Sequence, residues 1–156
     1  MIVVADSTPL IYLARLGVLE VLASMFGEVV VPHVVWVEVV ETRPDAPGVS
    51  AIRAAQWIRV SDRALGEVDL GLDPGETAAI QLAESLRADV LLIDERAGRA
   101  VALERGLTVR GTLGVLVQAR RSGAIPALRP VLDALVDQGF RIMPRLVTEA
   151  LRAVGE

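Results

Sequence analysis

The sequence contains no lysine, because all 16 of its basic residues are arginines. That absence excludes a lysine Schiff base and the P-loop lysine that contacts nucleotide phosphates. A single histidine, His33, is too few for a multi-histidine zinc site. There is also no cysteine, which excludes a disulfide framework and a thiolate metal site. The chemistry of this chain must therefore come from other side chains.

Long apolar runs are also missing. No stretch reaches the 18 or so apolar residues that a membrane span needs. The first residues, Met-Ile-Val-Val-Ala-Asp, lack a basic segment and do not resemble a signal peptide. Together with the absence of cysteine, this predicts a cytoplasmic protein.

The sequence is rich in carboxylates and in aliphatic residues. There are 20 Asp and Glu residues against 16 Arg, for a net charge of −4, which is not typical of a nucleic-acid-binding protein unless divalent cations offset the charge. The chain has 156 residues, the size of one domain, and is 53% hydrophobic. We expect a large core and an apolar interface that forms a homodimer.

Short apolar runs alternate with amphipathic segments along the chain. Strands are predicted at 2–5, 29–31, 57–60, 90–93 and 107–109. Helices are predicted from Thr8-Pro9, at 18–25, in a short segment before the strand at 57–60, from Asp73-Pro74, through 97–102, at 112–121, and in the last stretch, broken at Gly139 and Pro144. The segment 32–41 is ambiguous, because its many valines favour a strand, and we favour a helix there. This alternation predicts an α/β fold with a parallel sheet between helical layers.

Two of the predicted strands end in an aspartate, at Asp6 and Asp94. Ligands of open α/β sheets bind beyond the carboxyl ends of strands, so both carboxylates are candidates for chemistry. Asp94 has an equally good alternative role as the N-cap of the following helix. Asp6 has a weaker one, because Thr8 beside Pro9 already supplies a cap.

Two glutamates have contrasting alternatives. Glu76 fits a capping box with Asp73, in which its carboxylate returns to the helix N-terminus, and for Glu76 alone this role is favoured. Glu38 lies among valines, so we expect it to be partly buried and to require an arginine or a metal ion as partner. If all four acids converge at one edge of the sheet, their hard oxygen ligands suit Mg²⁺ or Mn²⁺ and the hydrolysis of phosphodiesters.

Five stretches resemble the PIN-domain nucleases, and among them the VapC-like toxins of toxin–antitoxin pairs with extra C-terminal helices. These are Val-Val-Ala-Asp6-Ser-Thr-Pro-Leu-Ile, Val-Pro-His-Val-Val-Trp-Val-Glu38, Leu-Asp-Pro-Gly-Glu76-Thr-Ala-Ala-Ile, Leu-Leu-Ile-Asp94-Glu-Arg-Ala-Gly-Arg99 and Gly111-Thr-Leu-Gly-Val-Leu. The resemblance covers residues 1 to about 125. It implies one PIN-like domain over 1–156, with a core at 1–125 and a helical extension at 126–156.

The resemblance further implies a three-layer α/β/α sandwich with a five-stranded parallel sheet in the order 3-2-1-4-5. It assigns Asp6, Glu38, Glu76 and Asp94 to a catalytic, metal-binding quartet. The implied activity is that of an Mg²⁺- or Mn²⁺-dependent endoribonuclease, the implied partner is an antitoxin protein, and a homodimer is again expected. Two departures stand out: the third acid is Glu76, where many toxins have Asp, and Glu95 occupies a position where many relatives have a second Asp.

Five further residues are candidates for outer-shell or phosphate-binding roles: Ser7, Thr8, Glu95, Arg96 and Arg99. Helix capping is the stronger reading for Ser7 and Thr8, as it is for Thr112, and a solvated helix face is at least as good for the arginines. Other functions remain open. A phosphoacceptor domain and a haloacid-type phosphatase are disfavoured by the missing lysine, whereas a catalytically silent interaction module on the same fold is the alternative to a nuclease.

Overall fold

A computed structural model describes all residues, Met1–Glu156, and divides them into two compact units, Met1–Thr112 and Leu113–Glu156. The first unit contains the sheet. Its elements are, in order, β1 (Val3–Ala5), α1 (Ser7–Arg15), α2 (Val21–Phe26), β2 (Val29–Pro32), α3 (His33–Trp36), a π-helical turn (Val37–Glu41), α4 (Val49–Ala54), β3 (Ile58–Ser61), α5 (Pro74–Leu86), β4 (Val90–Leu92), α6 (Arg96–Glu104) and β5 (Val109–Arg110).

The five strands form one parallel sheet in the order β3-β2-β1-β4-β5. β1 lies in the centre, with Val4 opposite Val30 of β2 on one side and Leu91 of β4 on the other. The three central strands are buried along their whole length, as expected for apolar strands covered on both faces. The predicted fold, a parallel sheet of this order flanked by helices, is confirmed.

One face of the sheet packs against α5. Its buried residues Ala79, Ile80 and Ala83 form a single cluster with Val4 and Leu91 of the strands. The helix presents this apolar stripe because its small and aliphatic residues recur at helical spacing. Packing of α5 against the central strands fixes the position of its N-terminus, where Asp73 and Glu76 lie.

The second unit is helical. It consists of α7 (Thr112–Arg121, whose first residue belongs to the first unit), α8 (Arg129–Asp137) and α9 (Pro144–Ala153). The Glu156 carboxylate accepts hydrogen bonds from the backbone N–H groups of Leu128 and Arg129, at 2.8 and 3.1 Å, and so supplies the cap at the start of α8. A single domain with its core at 1–125 remains a prediction. None of the helices has the length and apolar character that a membrane span requires.

One local expectation was wrong, and one helix differs in type from the expected α-helix. α1 begins at Ser7, so Asp6 and not Thr8 occupies the N-cap position, and its side chain makes no capping bond. The helix predicted for 32–41 is present, but its second half is a π-helical turn, in which Thr42 donates from both its N–H and its Oγ1 to the carbonyl of Val37, at 2.9 and 3.0 Å. The predicted α/β alternation otherwise agrees with the structure.

Candidate functional site

Asp6 lies at the carboxyl end of the central strand and is 4% exposed. Its backbone N–H donates to the Leu92 carbonyl at 2.9 Å, which keeps β1 paired with β4 up to the strand end. The pKa of the Asp6 carboxyl is raised to about 7, chiefly by burial, while a hydrogen bond from the Ser7 backbone opposes the rise. The negative charges of Asp73, Glu38 and Asp94 also contribute to this rise. Asp6 is therefore the centre of a group of acids.

Glu38 belongs to the π-helical turn and is exposed, so the expectation that it is partly buried among valines was wrong. Val39 and Val40 of the same turn are buried, whereas Glu38 is exposed. Its Oε2 atom lies 2.7 Å from the position that a Cβ on Gly75, at the start of α5, would take. A π-helical turn changes which side chains share a helix face, and such turns are frequent at functional sites.

Asp73 and Glu76 lie together at the N-terminus of α5. The Asp73 Oδ1 atom accepts from the Glu76 backbone N–H at 2.8 Å, so the predicted cap is present. The predicted return bond from the Glu76 carboxylate is not formed, and its buried Oε2 atom has no hydrogen-bond partner. The pKa of Glu76 is raised to about 8, chiefly by burial and secondly by the hydrogen bond with the Asp73 carboxyl. Glu76 is thus a buried acid with unsatisfied hydrogen-bonding capacity.

Asp94 follows β4 and is held by a single residue. Its Oδ1 accepts from the Thr112 backbone N–H at 2.7 Å, and its Oδ2 accepts from the Thr112 Oγ1 at 2.6 Å. Burial raises the pKa of Asp94, while the two Thr112 bonds and the nearby Arg99 guanidinium lower it. The N-cap position of α6 is Glu95, so Asp94 does not cap the helix that follows it. Asp94 instead accepts the hydrogen bonds at the start of α7, where Thr112 was expected to be the cap.

Three glycines provide space for these carboxylates. A Cβ on Gly75 would lie 2.7 Å from Glu38 Oε2 and 3.6 Å from Asp6 Oδ1. A Cβ on Gly98 would lie 2.6 Å from Glu76 Oε2, and one on Gly111 would lie 2.8 Å from Asp94 Oδ1. Real Cβ atoms do not lie closer than 3.0 Å to such atoms, so a side chain at these glycines would force Glu38, Glu76 or Asp94 to move, whereas the distance to Asp6 is an ordinary contact.

The remaining candidates differ in their surroundings. Ser7 is buried and its Oγ has no partner, whereas Thr8 is half-buried. Glu95 is exposed and raises the pKa of Glu76 through its charge, as it does that of Asp94. Arg99 is half-buried and donates to the Ile93 carbonyl at 3.1 Å, whereas Arg96 is exposed. The positive charge of Arg99 lowers the pKa of Asp94.

The donor chemistry of this site suits Mg²⁺ or Mn²⁺, which prefer carboxylate oxygens. The unpartnered Glu76 oxygen and the mutual repulsion around Asp6 are both features that a bound cation would relieve. In the conformation described, no three acidic side chains converge closely enough to hold one ion together. The donor set therefore fits such a cation. For several of these acids to bind one ion together, their side chains must rearrange, and the exposed Glu38 has room to do so.

Two residues near the acids were not identified as functional from the sequence. Asp73 was interpreted only as a cap, yet its charge acts on Asp6 as well as on Glu76. Thr112 was interpreted as a cap of its own helix, yet it binds Asp94 across 18 positions of sequence. Position within a local motif gives no indication of such contacts, which depend on the order of the strands.

Comparison with known proteins identifies a family along nearly the whole chain and a relative along part of it. A family model described as DUF3368, a PIN domain, matches residues 2–156. A segment of 106 residues, 68% of the chain, is 29% identical to a serine–tRNA ligase of Mycobacteroides abscessus, but the match spans only 25% of that protein's length. No solved structure shows a significant match. By the family match over nearly its whole length, the chain belongs to the PIN-domain family.

Proposed function

We propose that this protein is a divalent-metal-dependent endoribonuclease that hydrolyses phosphodiester bonds. The PIN-domain family generally consists of nucleases that act on nucleic acids and typically use divalent metal ions. The observation that carries the proposal is the buried Asp6 at the end of the central strand, facing the charges of Glu38, Asp73 and Asp94. Grouped acids of this kind are costly to fold unless a cation or protons neutralise them.

Asp6, Glu38, Glu76 and Asp94 would hold the metal. When bound, Mg²⁺ or Mn²⁺ polarises the phosphate and lowers the pKa of a water molecule. The chain's own contribution is to orient oxygens. Thr112 fixes both oxygens of Asp94, and the paired strands β1 and β4 bring that residue beside Asp6.

Metal-dependent cleavage of RNA tests this proposal. Incubation of total RNA with the protein and Mn²⁺ should give fragments, and chelator should abolish them. Asp6→Asn should be inactive, whereas Asp133→Asn, which changes an exposed acid of α8, should cleave as the wild type does. Cleavage that persists in chelator or in Asp6→Asn would refute the assignment.

We further propose that the protein is a VapC-like toxin, cytoplasmic and homodimeric, restrained by an antitoxin protein. A basic group of the antitoxin would neutralise the acids, because opposite charges are complementary across such an interface. Co-expression with the product of a neighbouring small gene should restore the growth of cells that the nuclease arrests. Light scattering at micromolar concentration should give the mass of a dimer, and a monomer alone would contradict that part of the proposal.

A catalytically silent interaction module on the same fold is the alternative. One observation favours it: no three acids converge on a common ion position in the conformation described. The two functions are distinguished by metal binding, since a silent module predicts that Mn²⁺ neither stabilises the protein nor supports cleavage.

A further inference from the structure

A groove of about 290 Å³ opens beside Glu38 on the first unit. Its walls are α1, the π-helical turn, the segment that follows this turn, and α4. Aliphatic side chains form its floor, among them Ile11, Val39 and Ile52. Two arginines, Arg15 and Arg43, line it as well. The groove therefore combines an apolar floor with positive charge and has one acid of the candidate site among its lining residues.

The groove follows α1 away from the acids. α1 begins at Ser7, directly after Asp6, and Ile11 and Arg15 are four and eight residues further along the same face. At about 1.5 Å per residue, Arg15 lies about 12 Å along the helix axis from Ser7. Two walls of the groove, α1 and the segment before α4, lie close together at Gly48. This position requires glycine because its φ is +85° and because a Cβ there would lie 2.9 Å from the Ala14 Cβ. The groove is thus a formed feature that leads outward from the acidic site.

The charges of the groove differ from those of the acidic site. Arg43 is exposed and takes part in none of the ion pairs of the structure. The Arg15 guanidinium lies over the Tyr12 ring, 5.8 Å from its centroid. An anionic ligand repelled by the acids would be attracted to the exposed Arg43. A nucleic-acid strand matches both properties, since its phosphates are negative while its bases and sugars offer less polar faces.

We propose that this groove holds the RNA strand on one side of the cleaved bond, with Arg43 and Arg15 contacting its backbone phosphates. The proposal rests on the proposed ribonuclease function and adds the path of the substrate to it. Phosphate contacts of this kind position a strand without reading its sequence. Arg43 and Arg15 would therefore determine affinity, while Asp6 and the other acids determine the rate of hydrolysis.

The test measures binding and cleavage separately. Binding is followed by fluorescence anisotropy of a labelled single-stranded RNA of ten nucleotides with Asp6→Asn protein in Mn²⁺. Arg43→Gln and Arg15→Gln, each added to that variant, should weaken binding about five- to tenfold at moderate salt and reduce the dependence of log K on log salt by about 0.7 per lost contact. Arg59→Gln is the matched control, because Arg59 is an exposed arginine of β3, outside the groove, paired with Glu28 at 3.3 Å.

Cleavage by the otherwise wild-type enzyme provides the second measurement. For RNA, Arg43→Gln should raise KM and leave kcat nearly unchanged. For bis(p-nitrophenyl) phosphate, a diester too short to reach the groove, Arg43→Gln should act like the wild type. If wild-type protein cleaves RNA but Arg43→Gln and Arg15→Gln match Arg59→Gln in RNA binding and in KM, the groove proposal is overturned and the nuclease function stands.

Two other outcomes are also decisive. If the arginine variants bind RNA normally but lose affinity for a co-expressed protein partner, the groove is a protein docking site and the proposal is wrong. If wild-type protein cleaves neither RNA nor the diester in Mn²⁺, the nuclease function itself fails, and the path of an RNA substrate fails with it.

Discussion

The buried acid at the centre of the site gives a prediction for folding stability. The pKa of Asp6 is raised from 3.8 to about 7 in the folded protein, chiefly by burial. In the unfolded chain the same carboxyl titrates near 3.9. The folded state therefore binds the proton more tightly than the unfolded state. This contribution to stability is fully present below the unfolded pKa and is lost as the pH rises through about 7.

The magnitude follows from the size of the shift. Each pKa unit corresponds to about 1.4 kcal/mol, so a rise of about three units gives at most about 4 kcal/mol over the whole range. Between pH 5 and pH 8 the loss should be about 2.5 kcal/mol in metal-free protein. For a chain of this size, that corresponds to a melting temperature lower by roughly 5–10 °C.

Thermal unfolding in chelator, at pH 5 and pH 8, measures this difference. The wild type should lose about 2.5 kcal/mol more than Asp6→Asn over this range, because asparagine does not titrate. Glu76, whose pKa is raised to about 8, is present in both proteins and contributes to both slopes. The exposed-acid control Asp133→Asn should behave as the wild type. If the wild type is as stable at pH 8 as at pH 5, or if Asp6→Asn shows the same loss, Asp6 is not held as a buried, repelled acid.

Saturating Mn²⁺ at a hundredfold excess over its dissociation constant should stabilise the wild type by about 2.7 kcal/mol relative to chelator. Asp94→Asn should lose most of this increment, and an equal increment in both proteins would mean that Asp94 is not a ligand. Gly98→Ala places a Cβ 2.6 Å from Glu76 Oε2 and 2.8 Å from Ile93 Cδ1. The resulting overpacking should lower the stability of the protein by about 1–3 kcal/mol, against a gain in helix propensity of about 1 kcal/mol. We expect Gly98→Ala to have a reduced Mn²⁺ increment, while Gly66→Ala, where a Cβ would meet nothing within 4 Å, keeps it; a full increment in Gly98→Ala would show that the orientation of Glu76 is unimportant.

The fold could be predicted from the sequence because its signals are local. The runs Val3–Ala5 and Val90–Leu92 are apolar throughout, which is typical of strands covered on both faces, and each is followed within two residues by an aspartate. The alternation of such runs with amphipathic segments predicts parallel strands. The carboxyl ends of parallel strands share an edge of the sheet, so the proximity of Asp6 to Asp94 was also within reach of the sequence.

The details of the site depend on contacts that no local pattern encodes. A run of valines around Glu38 indicates burial, but the π-helical turn leaves Glu38 exposed. Asp73 and Glu76 match a capping box, but Glu76 is drawn into the space beside Gly98 and makes no return bond. Thr112 has the residue type of a cap, yet its hydroxyl and amide bind Asp94 because β5 lies next to β4. Each case is decided by tertiary packing.

The central claim is that the acids around Asp6 share a divalent cation. A crystal structure of the protein soaked in Mn²⁺, with anomalous scattering to locate the ion, tests it most directly. The account predicts a peak about 2.0–2.3 Å from an Asp6 carboxylate oxygen, with at least two of Glu38, Glu76 and Asp94 as further ligands. A peak that lies elsewhere, or no peak at Asp6 at saturating Mn²⁺, would contradict the account.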